Sequence, residues 1–284
     1  MSRPQIGAHV SAAGGLWTAF DRAKEIGAEC VQIFGSTPRS WSVKLPSAEE
    51  ARTFKEAAKR SGVHPVYLHA PYLINLGSGE KRLFGASQTS LKGHLKIAEM
   101  LGAKGVIFHI GSAKGSTKEK AIPQIAASLK EILKEVPGKS LLILENAAGG
   151  GDKIGATPEE IADILKRVGS ARTKVCFDTA HAFEAGMIHE YTPAGIAKLC
   201  GEWDKTIGLE RIVVLHANDS KTVYNSHNDR HENIGEGYIG LAGFKALAKE
   251  QRLWNKDWIL EVPGKNHEGP NKENIERLKS CFKK

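Results

Sequence analysis

Histidine, aspartate and glutamate recur at one kind of place in this sequence, the end of a short apolar run. His9, His69, His109, Glu145, Asp178, His216 and Glu261 each close such a run, and His181 follows Asp178 by three residues. Asp229 and His231 stand two apart in the polar segment Ser226–Asn233. In extended chain that spacing turns both side chains to one side, where they could clamp a single ion. Imidazole nitrogens and carboxylate oxygens are the ligands that zinc and similar divalent ions prefer. One His or Glu at a strand end has an ordinary explanation, as a hydrogen-bonded residue or a partner of a helix dipole. Recurrence at nearly every strand end does not, because burying several titratable groups without partners is costly.

With His9 set aside as a supporting residue, nine candidate ligands remain: His69, His109, Glu145, Asp178, His181, His216, Asp229, His231 and Glu261. A catalytic zinc uses about three protein ligands plus a water. Nine therefore exceed one ion's needs, and two or three ions sharing a carboxylate fit better. Clustered divalent ions suit phosphoryl chemistry, since they activate water as hydroxide and neutralise charge on the attacked and leaving oxygens. No serine or cysteine nucleophile elbow is present, so hydroxide generated at such ions is the expected nucleophile. The remaining histidines, His64, His94, His189, His227 and His267, read as structural or surface residues.

These residues need a scaffold that brings distant positions together. Strand candidates lie at Ile6–His9, Cys30–Phe34, Pro65–His69, Gly105–His109, Leu141–Glu145, Val175–Asp178, Ile212–His216 and Trp258–Glu261. Helical spacing fills the gaps at Trp17–Ile26, Ala48–Ser61, Ser87–Leu101, Lys118–Glu135, Pro158–Val168, Pro193–Thr206, Leu241–Glu250 and Lys272–Cys281. Ser47…Glu50, Ser116…Glu119 and Thr157…Glu160 have capping-box spacing, the last with Pro158 at the first helical position. Gly27, Gly102 and Gly138 stand where helix ends favour a left-handed residue. Strict alternation argues for a parallel sheet with helical crossovers. Eight units in 284 residues predict a single α/β domain over residues 1–284, a (β/α)8 TIM barrel. An open doubly wound sheet is the competitor, but Ala12-Ala13-Gly14-Gly15 is a poor match to its phosphate loop. In a barrel all strand C-termini open on one face, so the candidate ligands would converge there.

Composition narrows the partners. A net charge of +8 favours anionic ones, nucleic acid among them. No apolar run reaches the roughly 18–20 residues that span a bilayer, and the first residues lack a signal peptide's apolar stretch. Four scattered cysteines without a Cys-x-x-Cys pair fit a reduced compartment. A cytoplasmic protein, with no membrane partner and no organic cofactor, is expected. The segments Gly35–Trp41 and Ala70–Leu76 place Arg39, Trp41, Tyr72 and Leu73 in loops on the presumed active face. Aromatic and apolar residues beside arginine are what groove wedges and stacking platforms use; Trp41 and Tyr72 could equally pack down as loop anchors.

The ordered blocks resemble those of the endonuclease IV family of apurinic/apyrimidinic endonucleases, along nearly the whole chain. They are Gly7–Gly15, His69 with Tyr72–Gly77, Phe177–His181 running to Gly186, His216–Lys221, Asp229-Arg230-His231 with Gly235-Glu236-Gly237, and Leu260–Pro263. The resemblance implies a barrel with three zinc ions, open to manganese or iron substitution. It also implies hydrolysis of the phosphodiester 5′ to an abasic site in duplex DNA, leaving a 3′-hydroxyl and a 5′-deoxyribose phosphate, with trimming of blocked 3′ ends. Glu145 would bridge two ions, one held also by His69 and His109, the other by Asp178, His216 and Glu261; the third would take His181, Asp229 and His231. Glu145 and Glu261 would be the catalytic carboxylates. Arg39, Tyr72 and Leu73 match positions that enter the duplex. A monomer is expected. Ile110, Ala217 and Val262 depart from the family's usual proline, leucine and threonine without removing a ligand.

The alternative is a xylose-isomerase-like sugar isomerase or epimerase. Such an enzyme needs one or two ions and a proton-transfer group, and has no use for the set His181, Asp229 and His231. A DNA-binding barrel that has lost catalysis would be expected to have lost ligands, and all nine are present.

Overall fold

The computed structural model describes residues 3–283. Met1, Ser2 and Lys284 lie outside the described residues, so part of the N-terminal stretch read above for a leader does too. The strands are β1 (Ile6–His9), β2 (Val31–Phe34), β3 (Val66–His69), β4 (Gly105–His109), β5 (Leu141–Glu145), β6 (Thr173–Asp178), β7 (Ile212–His216), β8 (Asp219–Ser220), β9 (His231–Glu232) and β10 (Asp257–Leu260). Strands β1–β7 and β10 close a barrel in the order β1-β10-β7-β6-β5-β4-β3-β2. Every neighbouring pair whose register is seen is parallel. β8 and β9 form a separate antiparallel ribbon. The expected (β/α)8 barrel is what the chain forms, and no open sheet edge leaves room for the doubly wound alternative.

The two-residue period of a strand builds the site. Cys30, Tyr67, Ile107, Ile143, Cys176, Val214 and Ile259 fill the barrel interior as one apolar cluster. Two residues beyond each stands Gln32, His69, His109, Glu145, Asp178, His216 or Glu261. Side chains two apart share a face, so the next layer toward the barrel mouth is polar throughout, over an apolar floor. Register sets the lateral spacing. His109 lies opposite Glu145, and Asp178 opposite His216, which starts these neighbours about 4.8 Å apart. A second, larger core lies between the strands and the surrounding helices.

The helices are α1 (Ala19–Glu25), α2 (Ala48–Ser61), α3 (Lys81–Leu101), α4 (Lys118–Glu135), α5 (Pro158–Val168), α6 (Thr179–Glu184), α7 (Pro193–Thr206), α8 (Gly240–Leu247) and α9 (Lys272–Ser280). The helices depart from the sequence pattern in a few places. α3 begins six residues before the expected Ser87, and α6 was not foreseen. The Ser47–Glu50 capping box forms, but Thr117 rather than Ser116 caps α4, without a side-chain bond. Thr157 caps α5, while the Glu160 carboxylate turns to the N–H groups of Gly155 and Ala156. Gly27 and Gly102 adopt φ of 78° and 71° as expected; Gly138 instead lies beyond Val136, where α4 already ends. All four cysteines are buried and free. Among the described residues no helix is long and apolar enough to cross a membrane.

Candidate metal centre

The nine candidate ligands meet in one cleft. Glu145, 1% exposed, is the hub. Its Oε2 lies 3.2 Å from both His69 Nε2 and His109 Nε2, and its Oε1 2.8 Å from His216 Nδ1. His216 Nδ1 also stands 3.2 Å from Glu261 Oε2 and 3.8 Å from Asp178 Oδ2. On the other side Asp229 offers one oxygen to each of two imidazoles, Oδ2 at 3.2 Å from His181 Nε2 and Oδ1 at 3.6 Å from His231 Nε2. Asp178 stands between the groups, with its Oδ2 also 3.7 Å from His231 Nε2. His69, His109 and Glu145 thus form one compact set, and Glu145, Asp178, His216 and Glu261 another. His181 packs with His231 and Asp178 on one side and with Asp229 and His109 on the other.

Hydrogen bonds decide which nitrogen of several rings faces the cleft. A carbonyl oxygen can only accept, so His69 Nδ1 donates to Ala70 O at 2.7 Å and His181 Nδ1 donates to Asn146 O at 2.8 Å. Gln32 Oε1 accepts from His216 Nε2 at 2.8 Å. The remaining nitrogens of His69, His181 and His216 face carboxylates. His181 Nε2 and His231 Nε2 are buried without a hydrogen-bond partner. Lone pairs of imidazole and carboxylate set against each other at 3–4 Å need a positive charge between them. Fixing a histidine's far nitrogen on an acceptor is how proteins orient metal ligands. The residues present fit divalent cations.

Charge without a cation tells the same story. Burial acts to raise the Glu145 pKa, but His216 and His109 outweigh it and hold it well below the carboxylate range. Burial pulls down the imidazole pKa values of His109, His181 and His216, yet all three are raised. Asp178 and Asp229 do this for His181, and Glu145 for His109. Around His216 stand Cys176, Glu261 and Glu145; burial pushes the Cys176 thiol up to about 12, so it is neutral near pH 7 and the carboxylates are the effective partners. In the cation-free site the carboxylates thus favour the protonated form of these imidazoles, and a bound cation competes with those protons. Binding is expected to tighten as pH rises and to release protons at pH 7. Calorimetry in two buffers of different ionisation enthalpy reads this directly; equal apparent enthalpies would contradict it.

Residues outside the ligand set hold it in place. His9 Nδ1 meets Glu261 Oε1 at 3.0 Å, and burial keeps this imidazole's pKa low, consistent with its supporting role. Gln32 Nε2 contacts both groups. Asn218 Nδ2 donates to Asp178 Oδ2 at 2.7 Å while its Oδ1 accepts from Glu261 N–H at 2.7 Å. Asp178 also caps α6, accepting from His181 N–H at 2.8 Å. At the far end of that helix the buried Glu184 accepts from Ser220 Oγ, Thr222 Oγ1 and Arg230 N–H, which moors the loop carrying Asp229 and His231. Gln32 could have been read from the sequence as the one polar residue inside Val31–Phe34, on the same two-residue period as the ligands.

A cavity of about 320 Å³ opens over Glu145, His109, His181 and Asp229. Tyr72, 59% exposed, stands at its mouth with its ring 5.9 Å from those of His69 and His109. Leu73 lines the cavity, and Arg39 is exposed on the neighbouring loop. Trp41 packs partly buried on the core, as a loop anchor. Of the histidines set aside, His94 is buried and bonded to Ser36 and Ser90. His227 lies nearer the site than expected, lining an adjoining cavity.

A parallel eight-stranded barrel with this mouth defines a class, and residues 20–281 match the family described as Xylose isomerase-like TIM barrel. A probable endonuclease 4 of Halorhodospira halophila is 40% identical over 283 residues, spanning 98% of this chain and 94% of that one. The crystal structure of endonuclease IV from Thermus thermophilus superposes with a TM-score of 0.85 at 31% identity, over 98% of this chain and 99% of the other. The chain belongs to the endonuclease IV family. A D-tagatose 3-epimerase-like protein, at 20% identity and a TM-score of 0.69 over 98% and 95% of the two chains, shares the fold alone. The sugar-epimerase alternative accordingly has only the barrel in its favour.

Proposed function

We propose that this protein is a DNA-repair endonuclease that hydrolyses the phosphodiester 5′ to an abasic site in duplex DNA. The products are a 3′-hydroxyl and a 5′-deoxyribose phosphate, and blocked 3′ ends are trimmed at the same site. The observation that carries this reading, beside the family membership, is the third ligand group. His181, Asp229 and His231 stand next to two complete sets, more than sugar isomerisation requires. We assign His69, His109 and Glu145 to one zinc, Glu145, Asp178, His216 and Glu261 to a second, and His181, Asp229 and His231 to a third. Manganese or iron can take these sites where availability favours them.

Bound there, such ions lower the pKa of water and neutralise charge on phosphate oxygens. The protein's own groups do the rest. Glu145 and Glu261 supply the carboxylate charge beside His216, and the apolar floor keeps bulk water from beneath. Arg39, Tyr72 and Leu73 enter the duplex beside the abasic site. The protein works in the cell as a monomer on nucleoid DNA. Chelation is expected to abolish incision of abasic duplex, and zinc to restore it; incision by metal-free protein would contradict the assignment.

Tyr72→Ala is expected to weaken binding to abasic duplex roughly tenfold, the effect of losing one aromatic contact to a base. Its exposure predicts an unchanged melting temperature. Fluorescence anisotropy alongside thermal denaturation tests both, and unchanged affinity would remove Tyr72 from the interface.

A further inference from the structure

Around the rim from the β3 loop, on the far side of β4, the segment after β5 brings one further cation to the cleft. Gly149, Gly150 and Gly151 run at φ of 81°, 84° and 55°. A side chain at either of the first two would collide with His227, 2.6 Å from its Nδ1 or 2.9 Å from its Cβ. The chain beyond is pinned from both sides. Ala113 N–H donates to Asp152 O at 2.8 Å, Ile154 N–H to Gly111 O at 3.0 Å, and Lys153 N–H to Gly150 O at 3.3 Å. The Lys153 backbone is therefore fixed on the rim, and only its side chain must be ordered by a ligand.

That side chain lines both the cavity over Glu145 and the adjoining cavity of about 540 Å³ over His231 and Glu261, as Tyr72 does from its own loop. Among the described residues no carboxylate stands within 4.0 Å of the Lys153 ammonium. Asp229, which shares both cavities with it, is engaged by His181 and His231. The other cation on the second cavity, Arg230, turns its guanidinium to the Asp229 carbonyl at 2.8 Å. Lys153 is thus a half-buried residue without an anionic partner among the described residues, lining the space where a phosphate strand would lie. Lysine serves phosphate as a compact point charge with three donors.

Resting on the reading that this cleft takes DNA, we propose that Lys153 binds a non-bridging oxygen of a backbone phosphate flanking the scissile bond. It would hold the abasic strand against the ligand cluster from the β5 side of the cavities that Tyr72 lines from the β3 side. Its role is to position substrate.

Lys153→Ala and Lys153→Arg test this in the full-length, metal-loaded protein. For Lys153→Ala the KM for abasic duplex is expected to rise ~10-fold, as for loss of one charge-assisted hydrogen bond, with kcat changed much less. The slope of log(kcat/KM) against log salt should become shallower by about one, and binding to undamaged duplex should weaken in parallel. Lys153→Arg should recover most of the loss. Wild-type KM and salt slope in Lys153→Ala would overturn the proposal, as would a fall in kcat alone or a loss of bound metal. Failure of the wild-type protein to incise abasic duplex would instead overturn the reading beneath it.

Discussion

Replacing Glu145 by alanine is expected to abolish measurable turnover and to lower the protein's metal content. The carboxylate is buried and reaches three imidazoles, at 3.2, 3.2 and 2.8 Å. Among the described residues no other carboxylate belongs both to the set of His69 and His109 and to that of His216. Loss of one electrostatic partner of a reacting charge costs roughly 10²–10³ in rate, and loss of a shared ligand should reach or exceed the upper end. Glu145→Gln keeps the shape without the charge, so it separates a folding defect from a charge defect. Single-turnover incision with elemental analysis of both variants checks the prediction. Full metal content at normal rate would remove Glu145 from the bridging role.

Asp219→Ala is expected to be the most destabilising change near the site, although Asp219 faces no candidate ligand. Its buried carboxylate accepts the N–H groups of Ser220 at 2.9 Å, Gly235 at 2.9 Å, Gly237 at 3.1 Å, Ile239 at 2.9 Å and Gly240 at 3.2 Å. This cage closes the loop between β8 and α8. It also explains Gly237, where an added Cβ would lie 2.3 Å from Ser220 O and 2.6 Å from Asp219 Oδ1. Removing the acceptor strands five backbone donors, two buried and three part-buried; at about 1–3 kcal/mol for each buried one and less for the others, a total loss above about 3 kcal/mol is expected. Because Asp219 pairs with Glu232 and Ser220 with His231 in the ribbon, the same change should loosen Asp229 and His231. Thermal denaturation should show a drop of at least several degrees, accompanied by weaker metal retention. A melting temperature within a degree of wild type would show that the cage does not hold the loop.

The contrast between these residues shows what could be read in the sequence. Glu145 and the other strand-end ligands were legible because their chemical type and position coincide, and eight strand–helix units predict one face for them all. Gln32 obeys the same two-residue period but was passed over, since its amide is not a ligand of the expected kind. Asp219 looked like one more acid after a strand. Its partners are backbone N–H groups contributed mostly from sixteen to twenty-one residues later, and side-chain patterns do not announce those. α6 spans only six residues, fewer than two turns, so no periodicity marks it; its N-cap is also a candidate ligand, Asp178. His227 was read as a structural or surface residue, and Lys153 was not singled out, because their positions depend on the glycine run folding against His227.

The most direct test is incubation with duplex carrying a single abasic site, with both ends of the product mapped. A cut on the 5′ side is expected, with a 3′-hydroxyl that primes synthesis, a 5′-deoxyribose phosphate, and loss of all three with chelator. No incision, or a cut on the 3′ side by β-elimination, would contradict the proposed activity.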